Sequence, residues 1–360
     1  MPRILITGVA GFLGGRFAKW LLENICGAEV DGIDDFSCGY QENVPFGVHL
    51  HVPHEYGFTS GTDRRELTLG EGSLRNSEAW DQYDYVFHFA AYAAEGLSPF
   101  IRQYNYKSNL LATAEIVNLC IEQGVKRLVF TSSMAAYGRG VTPLDESAWR
   151  QTLPLDPYGC AKLACEHDIR CANAQHGLDY CLIRPHNLYG PGQSIFQRYR
   201  NVLGLWMRAR IEDKPLLVYG DGLQRRAFSW IDDCLPCLWQ AAVAPEASRQ
   251  LINLGGAKPI TIREAAELVA DVTGGGEIEH REPRHEVKDA WCTTAKSERL
   301  LGYRERTPFR EGLSQMWEWA QETYARYPER REPGERFTVE VEKGLYPYWA
   351  GLLSHPNAPT

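Results

Sequence analysis

Three glycines at three-residue spacing behind an apolar run constrain this chain more than any other feature. Residues 1–15 read MPRILITGVAGFLGG. Ile4, Leu5 and Ile6 read as a buried strand, Thr7-Gly8 as its turn, and Phe12, Leu13, Phe17, Leu21 and Leu22 recur at helical spacing beyond it. A strand entering a glycine turn and then a helix is a phosphate cradle. Gly8 permits the tight turn, Gly11 lets the backbone approach a pyrophosphate, and Gly14 lets the helix pack close to the strand.

The second strand, around residues 29–33, ends in Asp34 and Asp35. Asp34 lies twenty residues beyond Gly14, where a carboxylate accepts hydrogen bonds from both adenine-ribose hydroxyls and repels a 2′-phosphate. NAD is therefore expected rather than NADP. Further strands are expected at 85–91, 126–133 and 180–184, and helices at 98–123 and 156–176. This alternation predicts an α/β fold with a doubly wound parallel sheet. From Pro185 the texture changes to loops and short strands, which predicts a smaller C-terminal α/β lobe. The expected division is residues 1–184 for the cofactor domain, with 228–250 returning to it. Residues 185–227 and 251–330 form the substrate lobe, and 331–360 an extension with a possible strand at 337–341.

A net charge of −8 argues against nucleic acid and acidic membranes as partners, and no apolar run approaches the ~18 residues of a membrane span. Ten scattered cysteines without a framework pattern predict free thiols and a cytoplasmic location. Cys234 and Cys237 form a CxxC, but no second Cys or His pair has zinc spacing, so a helix start is the reading. His49, His51 and His54 with Glu55 invite a metal. Leu50 and Val52 alternate with the first two histidines, so a strand with two histidines on one face is expected, and no metal. Residues 40–82 otherwise read as irregular, with 57–70 a polar surface insertion.

Chemistry gathers at the expected carboxyl ends of the strands. The strand at 126–133 ends in Thr131-Ser132-Ser133, and Tyr158 and Lys162 stand four apart on one helical face. A phenol near pKa ~10 needs roughly 4 kcal/mol of differential stabilisation to work as a base near pH 7. An adjacent ammonium and a cationic nicotinamide supply it electrostatically. Tyr158 and Lys162, with Ser133 on the reacting oxygen, can take a proton from a carbinol as its hydride leaves.

The segments TGVAGFLG, FHFAA, FTSSMAAYG, YGCAK, RPHNLYGPGQ and YGDGLQRRAFSWIDD resemble those of the extended short-chain dehydrogenases/reductases, within the nucleotide-sugar epimerase/dehydratase group. The resemblance covers roughly residues 2–327 and implies a Rossmann domain with a nucleotide-sugar lobe. It implies cofactor contacts from Phe12, Leu13, Asp35, Phe89, Ala90, Ala91, Asn109, Thr131 and Pro185, besides the three glycines, Asp34, Tyr158 and Lys162. Ser73 and Leu74 are the nearest equivalents of the group's adenine-contacting Asp. On the substrate side it implies Asn187, Arg226 and Arg284 at the diphosphate, Arg281 being the other candidate for the last. Forked guanidinium donors suit paired phosphates. Glu95, Ser98, Ser133, His186 and Ala290 are implied at the sugar, and a small Ala290 would leave room for a 2-acetamido group.

Similar 4,6-dehydratases carry an Asp-Glu pair where this chain has Met134 and Ala135. Decarboxylating relatives place a Glu, and 3,5-epimerising relatives a Cys, at the position of Ala135. The scheme left is that of a 4-epimerase acting on a UDP-hexose with bound NAD. The alternatives are another nucleotide-sugar oxidoreductase or 2-epimerase, and, from another class, a non-catalytic NAD(H)-binding scaffold or sensor. The resemblance also implies a homodimer through a four-helix bundle of residues 98–123 and 158–176, where Ala161, Ala164, Ala172 and Ala174 would permit close approach.

Overall fold

The computed structural model describes residues 1–54, 57–61, 68–71, 82–197, 199, 201–256, 258–284, 286–331 and 337–346. Its first strand, β1 (Arg3–Thr7), lies inside the sheet, with Ile4, Leu5 and Ile6 at 0% exposure. β2 (Glu29–Ile33) and β3 (Val48–His54) extend the sheet on one side of β1. β6 (Tyr85–His88), β7 (Arg127–Thr131), β8 (Tyr180–Pro185) and a strand at Gln250–Leu254 extend it on the other. These seven strands are parallel. A sheet covered on both faces needs unbroken apolar strands, and all five residues of β7 are buried.

Alternate residues feed two cores. Ile4 and Ile6 pack with Phe17, Ala18 and Leu21 of α1 (Phe12–Asn24), together with Ile231, Leu235 and Leu238 from a later helix, Ile231–Val243. Leu5 faces the opposite core. There Ile116 and Val117 of a helix at Ala112–Gln123 meet Cys165 and Ile169 of a helix at Pro157–His176. The strand order reverses between β1 and β6, so their carboxyl ends open a crevice.

The C-terminal lobe has its own core of Trp206, Met207, Ala265, Leu313 and Met316. Short strands frame it: Leu216–Tyr219 pairs with Ile278–Arg281, and Arg225–Arg226 lies between Ile260–Thr261 and Asp289–Ala290. The capping box Thr261/Glu264 opens the helix Ile262–Val272.

Four expectations change. The helix expected over 98–123 is a 3₁₀ turn (Ser98–Phe100), α2 (Arg102–Tyr106), a π-turn (Lys107–Leu111) and α3 (Ala112–Gln123). In the wide turn the Asn109 amide turns inward and brackets Tyr92, accepting from its N–H at 2.9 Å and donating to its carbonyl at 3.3 Å. The expected insertion at 57–70 is an antiparallel hairpin, β4 (Gly57–Gly61) and β5 (Thr68–Glu71), that lengthens the sheet beyond β3. Residues 337–341 form no strand; they pack as coil through Phe337 and Val339. Ala161 and Ala172 of α4 (Pro157–His176) point into the core at 0% and 4% exposure, which takes them away from any partner. His49 and His51 do share one face of β3, with ring centroids 4.7 Å apart, and His51 lies 3.7 Å from Asp31. Among the described residues no group of three potential ligands surrounds a metal position, and no helix is long and apolar enough to cross a membrane.

Candidate active site

The glycine turn is bare because its own backbone needs the space. Gly8 has φ +75°, and a Cβ there would meet the Ala90 amide nitrogen at 2.8 Å. A Cβ on Gly14 would stand 2.1 Å from the Gly8 carbonyl oxygen, whereas one on Gly11 would stand 3.1 Å from it. Gly11 begins α1, and Phe12 and Leu13 form its first turn, half-buried. Free amides at a helix start beside a cradle with no side chains suit a pyrophosphate, so the residues fit a dinucleotide.

Asp34 stands at the end of β2. Its carboxylate accepts from the Ala10 and Phe36 amides at 2.9 and 2.8 Å, so it also ties down the glycine turn, a role the sequence does not announce. Burial pushes it up to about 6 despite those bonds. Asp35 is exposed and accepts from the Ser37 amide at 2.8 Å. Phe89 packs on Phe17 and Phe87, and the Ala90 amide donates to Thr7 Oγ1 at 3.1 Å, which brings Ala90 and Ala91 beneath the turn. Asn109 departs from the expected cofactor contact: it is 1% exposed, with its amide committed to Tyr92 and Asn105. Ser73 and Leu74 lie outside the described residues.

The reactive group forms where β7 meets the start of α4. Asp156 caps that helix, accepting from the Gly159 amide at 2.9 Å, and so sets Tyr158 in the first turn. One turn on, Lys162 is 2% exposed and donates to the Thr131 carbonyl at 2.8 Å. Its ammonium lies 6.0 Å from the Tyr158 ring centroid and 4.7 Å from that of Phe130. Burial draws Lys162 down to about 8. Thr131 donates its hydroxyl to the His88 carbonyl at 3.1 Å, and Ser133 Oγ accepts from the Ala135 amide at 3.1 Å.

Ser133 and Tyr158 line a cavity of about 1150 Å³ between the strand ends and the lobe. Glu95, Pro185, His186, Asn187, Arg226, Arg284 and Ala290 line it as well. Arg226 is held by the Arg225, Val287 and Lys288 carbonyls and by Glu286 at 2.9 Å. Arg284 stacks on Tyr219, 3.5 Å from the ring centroid. Arg281 is exposed and pairs with Glu279 at 2.8 Å. Asn187, at φ +37°, donates to the Ala227 carbonyl at 2.9 Å. His186 is 1% exposed beside the Ala290 backbone, and burial draws it down to about 4. It is therefore neutral and offers one donor and one acceptor.

Ser98 is a correction. It does not line the cavity: at 1% exposure its hydroxyl accepts from the Tyr158 amide at 3.1 Å and donates to the Glu95 carbonyl at 2.8 Å, so it positions Tyr158 instead. Glu95 is exposed on the cavity wall. The protein packed around it, with Asp156 nearby, pushes its carboxyl up to about 7. No acid follows Ser133, but the cavity is not free of acids.

Sequence reasoning missed the network behind the site. Glu166, fully buried, takes both arms of the Arg184 guanidinium at 2.7 Å and the Ser132 hydroxyl. Arg184 also stacks on Tyr137 at 4.0 Å. The one signal available was the four-residue step from Lys162 to Glu166. Cys234 and Cys237 are buried in the helix Ile231–Val243. Burial holds Cys237 up at about 12 and Cys234 well above its usual value, so neither thiol is poised to ionise.

A family model described as the NAD dependent epimerase/dehydratase family matches residues 4–255. A UDP-glucose 4-epimerase of Streptomyces lividans is 30% identical over 335 residues, which cover 88% of this chain and 95% of that one. Among solved structures, the UDP-glucose 4-epimerase of Thermotoga maritima with UDP-glucose is similar at 25% identity and a TM-score of 0.77, over 89% of this chain and 99% of that one. The Thermus thermophilus UDP-glucose 4-epimerase complex with NAD is similar at 26% identity and a TM-score of 0.76, with the same coverage.

Proposed function

Because the chain belongs to the NAD-dependent epimerase/dehydratase family, we propose that it is a nucleotide-sugar 4-epimerase, acting on a UDP-hexose. The observation that carries this is the pairing of Ser133 and Tyr158 on one cavity wall, with Lys162 behind them and only Met134 and Ala135 following. The cofactor is NAD, and it supplies, when bound in the glycine cradle beside Asp34, an acceptor and then a donor of hydride.

This chain's residues move the proton. Tyr158 removes it from the sugar C4 hydroxyl and returns it after the keto-sugar presents its other face. The Lys162 ammonium favours the phenolate electrostatically, and its bond to the Thr131 carbonyl fixes its position. Ser133 holds the reacting oxygen. Asn187, Arg226 and Arg284 hold the diphosphate, and His186 and Ala290 border the sugar. A second copy would dock on the outer face of the π-turn, α3 and α4, where Leu111 of the π-turn is 59% exposed.

A second reading rests on Glu95. A carboxyl near 7 can exchange protons at neutral pH, as a dehydration would require. Incubation with UDP-glucose and UDP-galactose, without added NAD, separates the two. Interconversion that survives Glu95→Gln supports the epimerase. Release of water, or net NADH, refutes it. Tyr158→Phe should lower turnover by about 10²–10⁴-fold with the fold intact by circular dichroism; unchanged activity would sink the mechanism.

A further inference from the structure

The segment beyond the last helix returns to the cavity. Phe337 is 6% exposed, in a cluster with Tyr92, Tyr104 and Tyr199, each ring centroid 5.8 Å away. Val339 and Leu345 pack on the same cluster. The Glu340 carboxylate accepts from the Gln103 and Tyr104 amides at 2.9 and 3.1 Å, in the first turn of α2, and the Glu340 amide donates to the Phe100 carbonyl at 2.8 Å. These anchors seat the segment on the loop that carries Glu95. From there Lys343, Gly344 and Tyr346 enter the cavity wall. The Tyr346 ring lies 6.1 Å from that of Phe100 and 5.9 Å from the Arg284 guanidinium carbon.

Charge gives this placement a purpose. The cavity wall carries Glu95, Asp156, Glu212, Glu279 and Glu286. Four of its cations are paired with these carboxylates: Arg226 with Glu286, Arg281 with Glu279, and Arg208 and Lys214 with Glu212. Lys343 is exposed on the cavity wall and makes no ion pair among the described residues. A doubly charged diphosphate entering so acidic a wall gains from one more cation.

We propose that residues 337–346 are a substrate-binding strap, in which Tyr346 packs beside Arg284 and Lys343 supplies a cation to the diphosphate. The proposal rests on the nucleotide-sugar reading above.

Titration calorimetry with UDP and UDP-glucose, alongside steady-state kinetics, tests it on the NAD-loaded full chain. Lys343→Ala should weaken UDP binding about tenfold and raise KM to match. It should leave kcat within about twofold and bound NAD unchanged. Lys343→Arg should retain affinity, and the Lys343→Ala defect should shrink in ~0.5 M salt. Glu340→Gln, which loosens the anchor without touching the ligand, should raise KM in the same direction. Wild-type affinity in both Lys343→Ala and Glu340→Gln, from an enzyme that still interconverts its sugars, overturns the strap and leaves the epimerase standing. A wild-type protein that binds neither UDP nor UDP-glucose overturns both.

Discussion

Replacing Lys162 with Met should make the protein more stable at neutral pH while it stops turning over substrate. Lys162 is 2% exposed, and burial lowers it from an ordinary 10.5 to about 8. Below pH 8 the ammonium is charged in both folded and unfolded chains, and folding must desolvate it. The drop from 10.5 to about 8 corresponds to about 3 kcal/mol. Met keeps the length and removes that cost, but it leaves the Thr131 carbonyl without its 2.8 Å donor, a loss of about 1–3 kcal/mol. The net gain at pH 7 is thus about 0–2 kcal/mol. The pH dependence is the sharper quantity. A lysine with a lowered native pKa penalises folding fully below that pKa, and the penalty fades as pH rises toward the unfolded value. About 2.5 kcal/mol of it is gone by pH 10. Urea unfolding of both proteins, stripped of NAD, at pH 7 and pH 10 measures this. The variant's advantage should fall by about 2–3 kcal/mol across that range. A difference independent of pH would show that Lys162 is not held as an unfavourable buried cation, and the electrostatic account of Tyr158 would lose its basis.

Gly14→Ala should abolish NAD binding, measured by calorimetric titration of NAD, because its Cβ would lie 2.1 Å from the Gly8 carbonyl oxygen. Gly11→Ala, at 3.1 Å, should cost less stability and serve as the milder comparison; equal melting temperatures for the two would contradict the packing. Glu166→Gln should lower unfolding free energy by about 3–5 kcal/mol, since it leaves the fully buried Arg184 without its carboxylate. Glu166→Gln combined with Arg184→Met should recover part of that loss, and a double variant worse than the single one would refute the pairing.

How much was legible in advance divides along one physical line. The glycine turn, Asp34, the parallel sheet, the Tyr158/Lys162 pair and the capping box are local: each follows from spacing along one strand, turn or helix, where side-chain direction repeats with a fixed period. Those features, and membership of a nucleotide-sugar family, could be read from the chain itself. What tertiary structure decided involves partners far apart in sequence or a surface that no period encodes. Ser98 left the sugar because the Tyr158 amide, sixty residues away, takes its hydroxyl. Asn109 turned inward because a π-turn breaks the helical period at 107–111. Glu166 found Arg184 across the gap between a helix and a strand. Glu95 owes its near-neutral titration to the protein packed around it and to Asp156, groups that only the fold brings together. The return of residues 337–346 to that cavity hangs on Glu340 meeting the start of α2, 237 residues away. Such contacts are set by how loops close and what they bury, and a one-dimensional pattern carries no record of them.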